Sequence, residues 1–256
     1  TTMAIFATIA IAIGAGAAGA LNMWYDASTD SMMTRTANRP IPSGRLSSRV
    51  ALLFGLTCAT LSIILLAIST NLIAALLLAI TILFYAVIYT MWLKFRTPHN
   101  IVIGGASGAL PPLIGCAAVT GSVTIEGCIL FMIIFLWTPP HFWALALFMR
   151  NDYDDAKVPM LTVTHGRRST RNHILGYTLV LAAVAVGAGY TSLGGPAYVA
   201  VAVVLNIAFI KGAVDIWRRD ETDSEADDFK VERRFFKLSL AYLFLHFGAI
   251  LTDPLL

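Results

Sequence analysis

The stretch LIAALLLAITILFYAVIYTMWL at residues 72–93, closed by Lys94-Phe95-Arg96, decides the fold. No charge interrupts it, and a helix that crosses a bilayer needs roughly 20 mainly apolar residues. Working outward, the same rule marks eight spans, near 3–21, 50–69, 72–93, 101–120, 127–149, 172–192, 196–217 and 235–252. Polar loops lie near 22–49, 94–100, 150–171 and 218–234, and the alternate connections are short. Composition agrees with this reading. Hydrophobic residues make up 57% of the chain, charged residues 13%, and the mean hydropathy is +0.75. A soluble domain carries about 25% charged residues, so lipid must solvate most of this surface. The expected fold is an all-α polytopic transmembrane bundle forming one domain over residues 1–256.

Sorting the basic residues by loop gives the orientation. Every one of the 18 Lys and Arg falls in or beside the four long loops. Alternate loops of a zigzag share one side, and the positive-inside rule makes that side cytoplasmic. The expected location is therefore a bacterial plasma (inner) membrane. All acids except Glu126 and Asp253 gather on the same face. Acids contribute little to topology, so their clustering calls for a chemical reason. With this order Thr1 falls on the outer side, so a ninth helix is expected ahead of it. The net charge of +3 is mild, and no nucleic-acid partner is expected. Cys58, Cys116 and Cys128 form no CxxC or Cys/His pattern, so they read as small packing residues.

The first loop opens Asn22-Met23-Trp24-Tyr25-Asp26-Ala27-Ser28-Thr29-Asp30. Four residues of helix advance about 400°, which puts Asn22, Asp26 and Asp30 on one face. Carboxylates one turn apart repel unless a hard cation sits between them. Mg²⁺ commonly binds through one or two carboxylates plus substrate phosphates. A second acidic group, Asn151-Asp152-Tyr153-Asp154-Asp155, follows the fifth span on the same side. If helical, it puts Asp152 and Asp155 on one face. Two such groups on one membrane face suit a Mg²⁺–diphosphate clamp. Asp26, Asp30, Asp152 and Asp155 are then the candidate catalytic acids, and with Asn22 they are the candidate metal ligands. Arg35, Arg39, Lys94, Arg96 and Lys157 are candidate diphosphate ligands. Arg39 leads them, because a guanidinium fork matches phosphate oxygens. Such a site would act by stabilising the charge of a departing diphosphate while apolar helices shelter an allylic cation.

The span after Lys94 carries Pro111-Pro112 among glycines, and the next carries Pro139-Pro140. Each pair predicts a helix break, and the two together predict a roomy interior pocket. His141 lies inside a span, where an ionisable group is a functional candidate, although an interhelical hydrogen bond explains it equally well. The run from Asp220 to Asp228 reads as a solvated segment.

Three longer stretches carry a family resemblance: NMWYDASTDSMMTRTANRPIPSGRLS at 22–47, TPHNIVIGGASGALPPLIGCAAVTG at 97–121 and WTPPHFWALALFMRNDYDDAKVPML at 137–161. With them the chain resembles the UbiA-type intramembrane prenyltransferases, and within these the branch that acts on heme. The resemblance implies nine helices and two Asp motifs at the cytoplasmic end. It implies transfer of farnesyl from farnesyl diphosphate to a vinyl carbon of heme b, with water capture giving heme O. It also implies membrane lipid as the surroundings, and heme A synthase or terminal oxidase assembly as possible partners. His99, Asn100 and His141 become candidate heme-facing residues. Two alternatives stand beside it: a sister prenyltransferase acting on an aromatic or quinone precursor, and a membrane transporter.

Overall fold

The computed structural model describes residues 2–253, so Thr1 and its outer-side placement lie outside it. Among the described residues all regular structure is helical. The first elements are α1 (Thr2–Tyr25), α2 (Ala27–Met32), α3 (Ser48–Ser69) and α4 (Leu72–Leu83). The last of these continues as a π-helix over Phe84–Leu93. Next come α5 (Asn100–Thr120), α6 (Ile125–Phe148), α7 (Arg150–Asp155) and α8 (Leu161–Thr164). The chain ends with α9 (Gly166–Ala188), α10 (Pro196–Arg218), α11 (Glu221–Ala226) and α12 (Lys230–Thr252). Eight of these helices, counting Leu72–Leu93 as one, are long and apolar enough to cross a membrane. The chain forms two compact units, one of residues up to Phe131 with Asn151–Pro159, the other of Met132–Arg150 with Met160 onward.

In the first unit α1 packs along α3 through small residues. Ala7, Ala10, Gly14, Ala17, Ala18 and Leu21 are buried on α1, facing Ala51, Gly55, Ala59 and Ser62 of α3. Without a water-driven hydrophobic force, membrane helices associate through such close backbone approach. A Cβ at Gly55 would stand 2.8 Å from Leu21 Cδ2, which shows how tight the seam is. Large apolar side chains such as Phe54, Leu61 and Ile68 point outward. Helix ends are capped by side chains. Ser47 Oγ accepts from Val50 N–H, and Asn71 Oδ1 from Ala74 N–H. The Asn71 amide also donates to the Ala117 and Ala118 carbonyls of α5, at 2.9 and 3.2 Å.

In the second unit Phe209 stacks between Phe235 and Tyr242, each at 4.5 Å, joining α10 to α12. The Tyr242 hydroxyl donates to Asn206 Oδ1 at 2.7 Å. Two expectations are corrected here and in the first unit. Pro111-Pro112 and Pro139-Pro140 lie inside the unbroken helices α5 and α6. Proline removes one donor and crowds the carbonyl four residues back, but neighbouring helices and Ser/Thr side chains offset this in a membrane. Thr138 Oγ1, for example, donates to the Ile134 carbonyl at 2.8 Å. The acidic run is exposed, as its composition predicts, and it is also ordered by pairing. Residues 221–226 form α11, with a capping box between Asp220 and Asp223. Arg167 pairs with Glu225 at 2.9 Å, and buried Arg171 donates to the Asp220 carbonyl and to Ser224 Oγ. Buried Glu232 accepts from Ser224 Oγ and lies 3.5 Å from Arg219. Charge pairing with α9 and α12 therefore organises a segment that reads as solvated from its composition.

Candidate active site

The first acidic motif is built by backbone continuity across the end of α1. Asp26 N–H donates to Asn22 O, and Asp30 N–H to Asp26 O, each at 2.8 Å. Helical bonding thus runs through the short interruption at Asp26, and the three side chains share a face as their spacing predicts. Both carboxylates are sunk, Asp26 to 1% exposure and Asp30 to 3%. Each is held by a cation. Lys94 Nζ donates to Asp26 Oδ2, and Arg39 Nη1 to Asp30 Oδ2 at 2.7 Å. Asn22 Nδ2 donates to the same Asp26 oxygen at 2.7 Å and to Thr90 Oγ1 at 3.1 Å. Burial pushes the Asp26 carboxyl above its ordinary range, while the Lys94 ammonium pulls it back.

The π-helical stretch aims Lys94. Its amide donates to Tyr89 O, five residues back, at 2.8 Å. Such segments are rare and frequent at functional sites. Asn100, buried at the start of α5, fixes the same turn by donating from Nδ2 to the Lys94 carbonyl at 3.1 Å.

The second acidic motif is helical, as α7, and joins the first through Thr34, whose Oγ1 donates to Asp152 Oδ1 at 3.1 Å. Arg35 lies beside Tyr153, whose phenol burial pushes up and Arg35 pulls down. Asp155, Lys157 and Arg96 are exposed and stand apart from these contacts. His99 lies exposed at the N-terminal end of α5. His141, in the second unit, is stacked between Trp137 at 4.4 Å and Phe236 at 4.5 Å, with Nδ1 hydrogen-bonded to Ser239 Oγ at 2.6 Å. The interhelical hydrogen bond expected of it from sequence is present, between α6 and α12.

Thr34, Thr36, Thr90 and Tyr153 escaped the sequence reading. Thr34 and Thr36 flank Arg35, and Thr90 lies one helical turn before Lys94; those flanking positions were the available signal. Thr36 Oγ1 donates to the Asp30 carbonyl at 2.9 Å, which ties the loop down behind the carboxylate.

Among the described residues no three His, Cys, Asp or Glu side chains form a ready metal cage. Buried oxygens nonetheless await a partner: Asp26 Oδ1, Asp152 Oδ2 and Asn100 Oδ1 have no hydrogen bond. Leaving such atoms unpaired costs about 1–3 kcal/mol each, more for charged groups. Asp26 Oδ1 and Asp152 Oδ2 are hard carboxylate oxygens, the donors Mg²⁺ takes when waters and substrate phosphates complete its shell. The residues present fit that ion. In the first unit a cavity of about 310 Å³ lies among α1, α4, the π-helix and α5. Ala18, Tyr85, Ser107, Gly108 and Pro111 line it.

Comparison with known proteins adds the following. A sequence model described as the UbiA prenyltransferase family matches residues 1–241. The chain is 64% identical over 250 residues to the protoheme IX farnesyltransferase of Ruegeria sp. (strain TM1040), covering 98% of this chain and 80% of that relative. It is 57% identical over 254 residues to the protein of the same name from Cereibacter sphaeroides (strain ATCC 17025 / ATH 2.4.3), covering 99% and 82%. Its fold is similar to the apo structure of a UbiA homolog from Aeropyrum pernix K1, with TM-score 0.75 at 18% identity over 99% of this chain and 90% of the other. It is also similar to a UbiA homolog from Archaeoglobus fulgidus bound to DMAPP and Mg²⁺, with TM-score 0.65 at 14% identity over 95% and 88%.

Proposed function

Since the chain belongs to the UbiA prenyltransferase family, we propose that it transfers the farnesyl group of farnesyl diphosphate to a vinyl group of heme b, with addition of water, giving heme O and diphosphate. The observation that carries the chemistry is the pair of buried acids, Asp26 and Asp30, each held by its own cation and joined to Asp152 through Thr34. The choice of heme as acceptor rests on relatives 57–64% identical over nearly the whole chain, which are named protoheme IX farnesyltransferase.

In this reading Asn22, Asp26, Asp30, Asp152 and Asp155 would hold Mg²⁺. The bound ion would supply neutralisation of the departing diphosphate. Arg39 and Lys94 bind the diphosphate oxygens, Arg39 through its planar fork and Lys94 as a point charge. Arg35, Arg96 and Lys157 extend the positive rim. Arg39 and Lys94 each face an acid before substrate arrives, so the site is preorganised where negative charge will develop. The apolar cavity below keeps bulk water from the allylic cation. His99 and Asn100 face heme, while His141 packs the second unit. The membrane is a bacterial plasma membrane, and the Asp motifs face the cytoplasm beside the basic loops. Heme O then passes to heme A synthase or to terminal oxidase assembly.

The deciding experiment incubates the purified protein with heme b, farnesyl diphosphate and Mg²⁺ and reads products by mass spectrometry. Hydroxyethylfarnesyl heme is the expected product. Prenylation of a hydroxybenzoate with heme left unchanged would transfer the assignment to an aromatic acceptor. Omitting Mg²⁺ is expected to abolish turnover.

A further inference from the structure

Building on the heme reading above, we propose that Ser107 holds the water molecule that becomes the hydroxyl of the product. Three hydroxyl side chains, Thr81, Tyr85 and Ser107, line the 310 Å³ cavity, whose remaining walls are aliphatic, glycine or proline. Thr81 is already engaged, donating to the Leu77 carbonyl at 2.7 Å. Ser107 is 5% exposed, and its Oγ has no hydrogen-bond partner. Serine in a membrane helix usually bonds back to its own helix, as Ser62 does to the Ala59 carbonyl at 2.8 Å. Ser107 leaves that bond unmade.

Its carbonyl is in the same position. The α-helical donor four residues on would be Pro111, which has no N–H. One residue therefore presents both a hydroxyl and a carbonyl without the usual donor, at the wall of one cavity. Gly108 beside it adds no bulk, since a Cβ there would meet nothing within 4 Å. A buried water needs two to four polar partners and about 30 Å³. Ser107 Oγ, the Ser107 carbonyl and the Tyr85 hydroxyl supply the partners, and the cavity leaves room for an apolar chain beside the water.

The chemistry balances. The C1–O bond of farnesyl diphosphate breaks, and its electron pair leaves on diphosphate. The terminal vinyl carbon of heme b forms the new bond to C1, leaving a cation on the vinyl carbon next to the porphyrin. The oxygen of the water on Ser107 bonds to that carbon, and the surplus proton passes to diphosphate. Without a held water, the cation loses a proton from the adjacent CH₂ instead, giving an alkene lighter by one water. Ser107 thus sets the ratio of alcohol to alkene.

The test compares products of wild type, Ser107→Ala and Ser107→Thr with heme b, farnesyl diphosphate and Mg²⁺, by mass spectrometry in heavy-oxygen water. In Ser107→Ala the alkene-to-alcohol ratio is expected to rise about fivefold or more, the change that one lost hydrogen bond supplies. The KM for farnesyl diphosphate should be unchanged, and Ser107→Thr should restore labelled alcohol. Alanine is the better helix former, so melting temperature serves as the folding control. A wild-type product ratio in Ser107→Ala overturns the proposal, as does equal loss of both products in a folded variant. A wild type that makes no farnesylated heme overturns the functional reading instead.

Discussion

Asp26 and Asp30 differ from solvated acids in one respect that governs their chemistry: they are buried before any ligand arrives. Asp26→Asn or Asp30→Asn is expected to lower turnover by at least about a hundredfold, the scale of losing a charged group that acts on the transition state. The variants should still insert and melt as folded protein, and full activity in either would remove the metal assignment. Acidity offers a second check. Burial raises the Asp26 carboxyl above its usual value near 3.9, and only its ionised form ligates a cation. Binding of Mn²⁺, followed by spin resonance, should therefore fade as pH falls through that raised value, above the ordinary carboxylate range. Lys94→Met removes the charge that opposes the rise, so the midpoint should move to higher pH. For folding without ligand the sign is reversed. A raised folded-state value favours the protonated form, so this stability contribution is present at low pH and is lost as pH rises through it.

Among the elements, α5 and α6 departed most from their sequence reading. Pro-Pro looks like a break because each ring deletes a backbone bond. The cost is real even where the helix survives, and it is borne by packing on every side. Pro140→Ala is accordingly expected to raise the thermal stability of the detergent-solubilised protein by about 1 kcal/mol or more. An unchanged or lower melting temperature would show that the ring is needed for packing. The π-helix at Phe84–Leu93 had no comparable signal, since its composition is that of any apolar span. Its effect is visible only where Lys94 reaches Asp26 and Thr90 meets Asn22.

Over the whole molecule, charge gathers in and beside the four long loops and is divided there by task. The unit holding Asn22, Asp26, Asp30 and Asp152 carries the candidate chemistry, whereas Arg167, Arg171, Arg219 and Glu232 in the other unit form a structural network. Glu232→Ala would leave buried Arg171 without its acid. Breaking a buried pair on one side costs about 3–5 kcal/mol, and this should appear as a large loss of melting temperature. Protein that remains folded should keep its KM for farnesyl diphosphate; a raised KM would tie this network to the substrate site.

The sequence by itself determined the eight spans, the gathering of the basic residues in alternate loops and the shared face of Asn22, Asp26 and Asp30. These follow from run length, charge counts and helical period, all local properties of a chain in lipid. It also marked Asp152, Arg39 and Lys94 as candidates without assigning their partners. Only the tertiary structure decided that Lys94 meets Asp26, that Thr34 reaches Asp152 across 118 residues, and that His141 is closed between two rings. It decided also that the exposed acidic run pairs with Arg167 of α9, and that Ser107 is left with an unpaired hydroxyl in an apolar cavity. The reason is physical. Polar groups buried in a membrane protein must find partners, and which partner each finds depends on which helices pack together, a relation that no local pattern encodes.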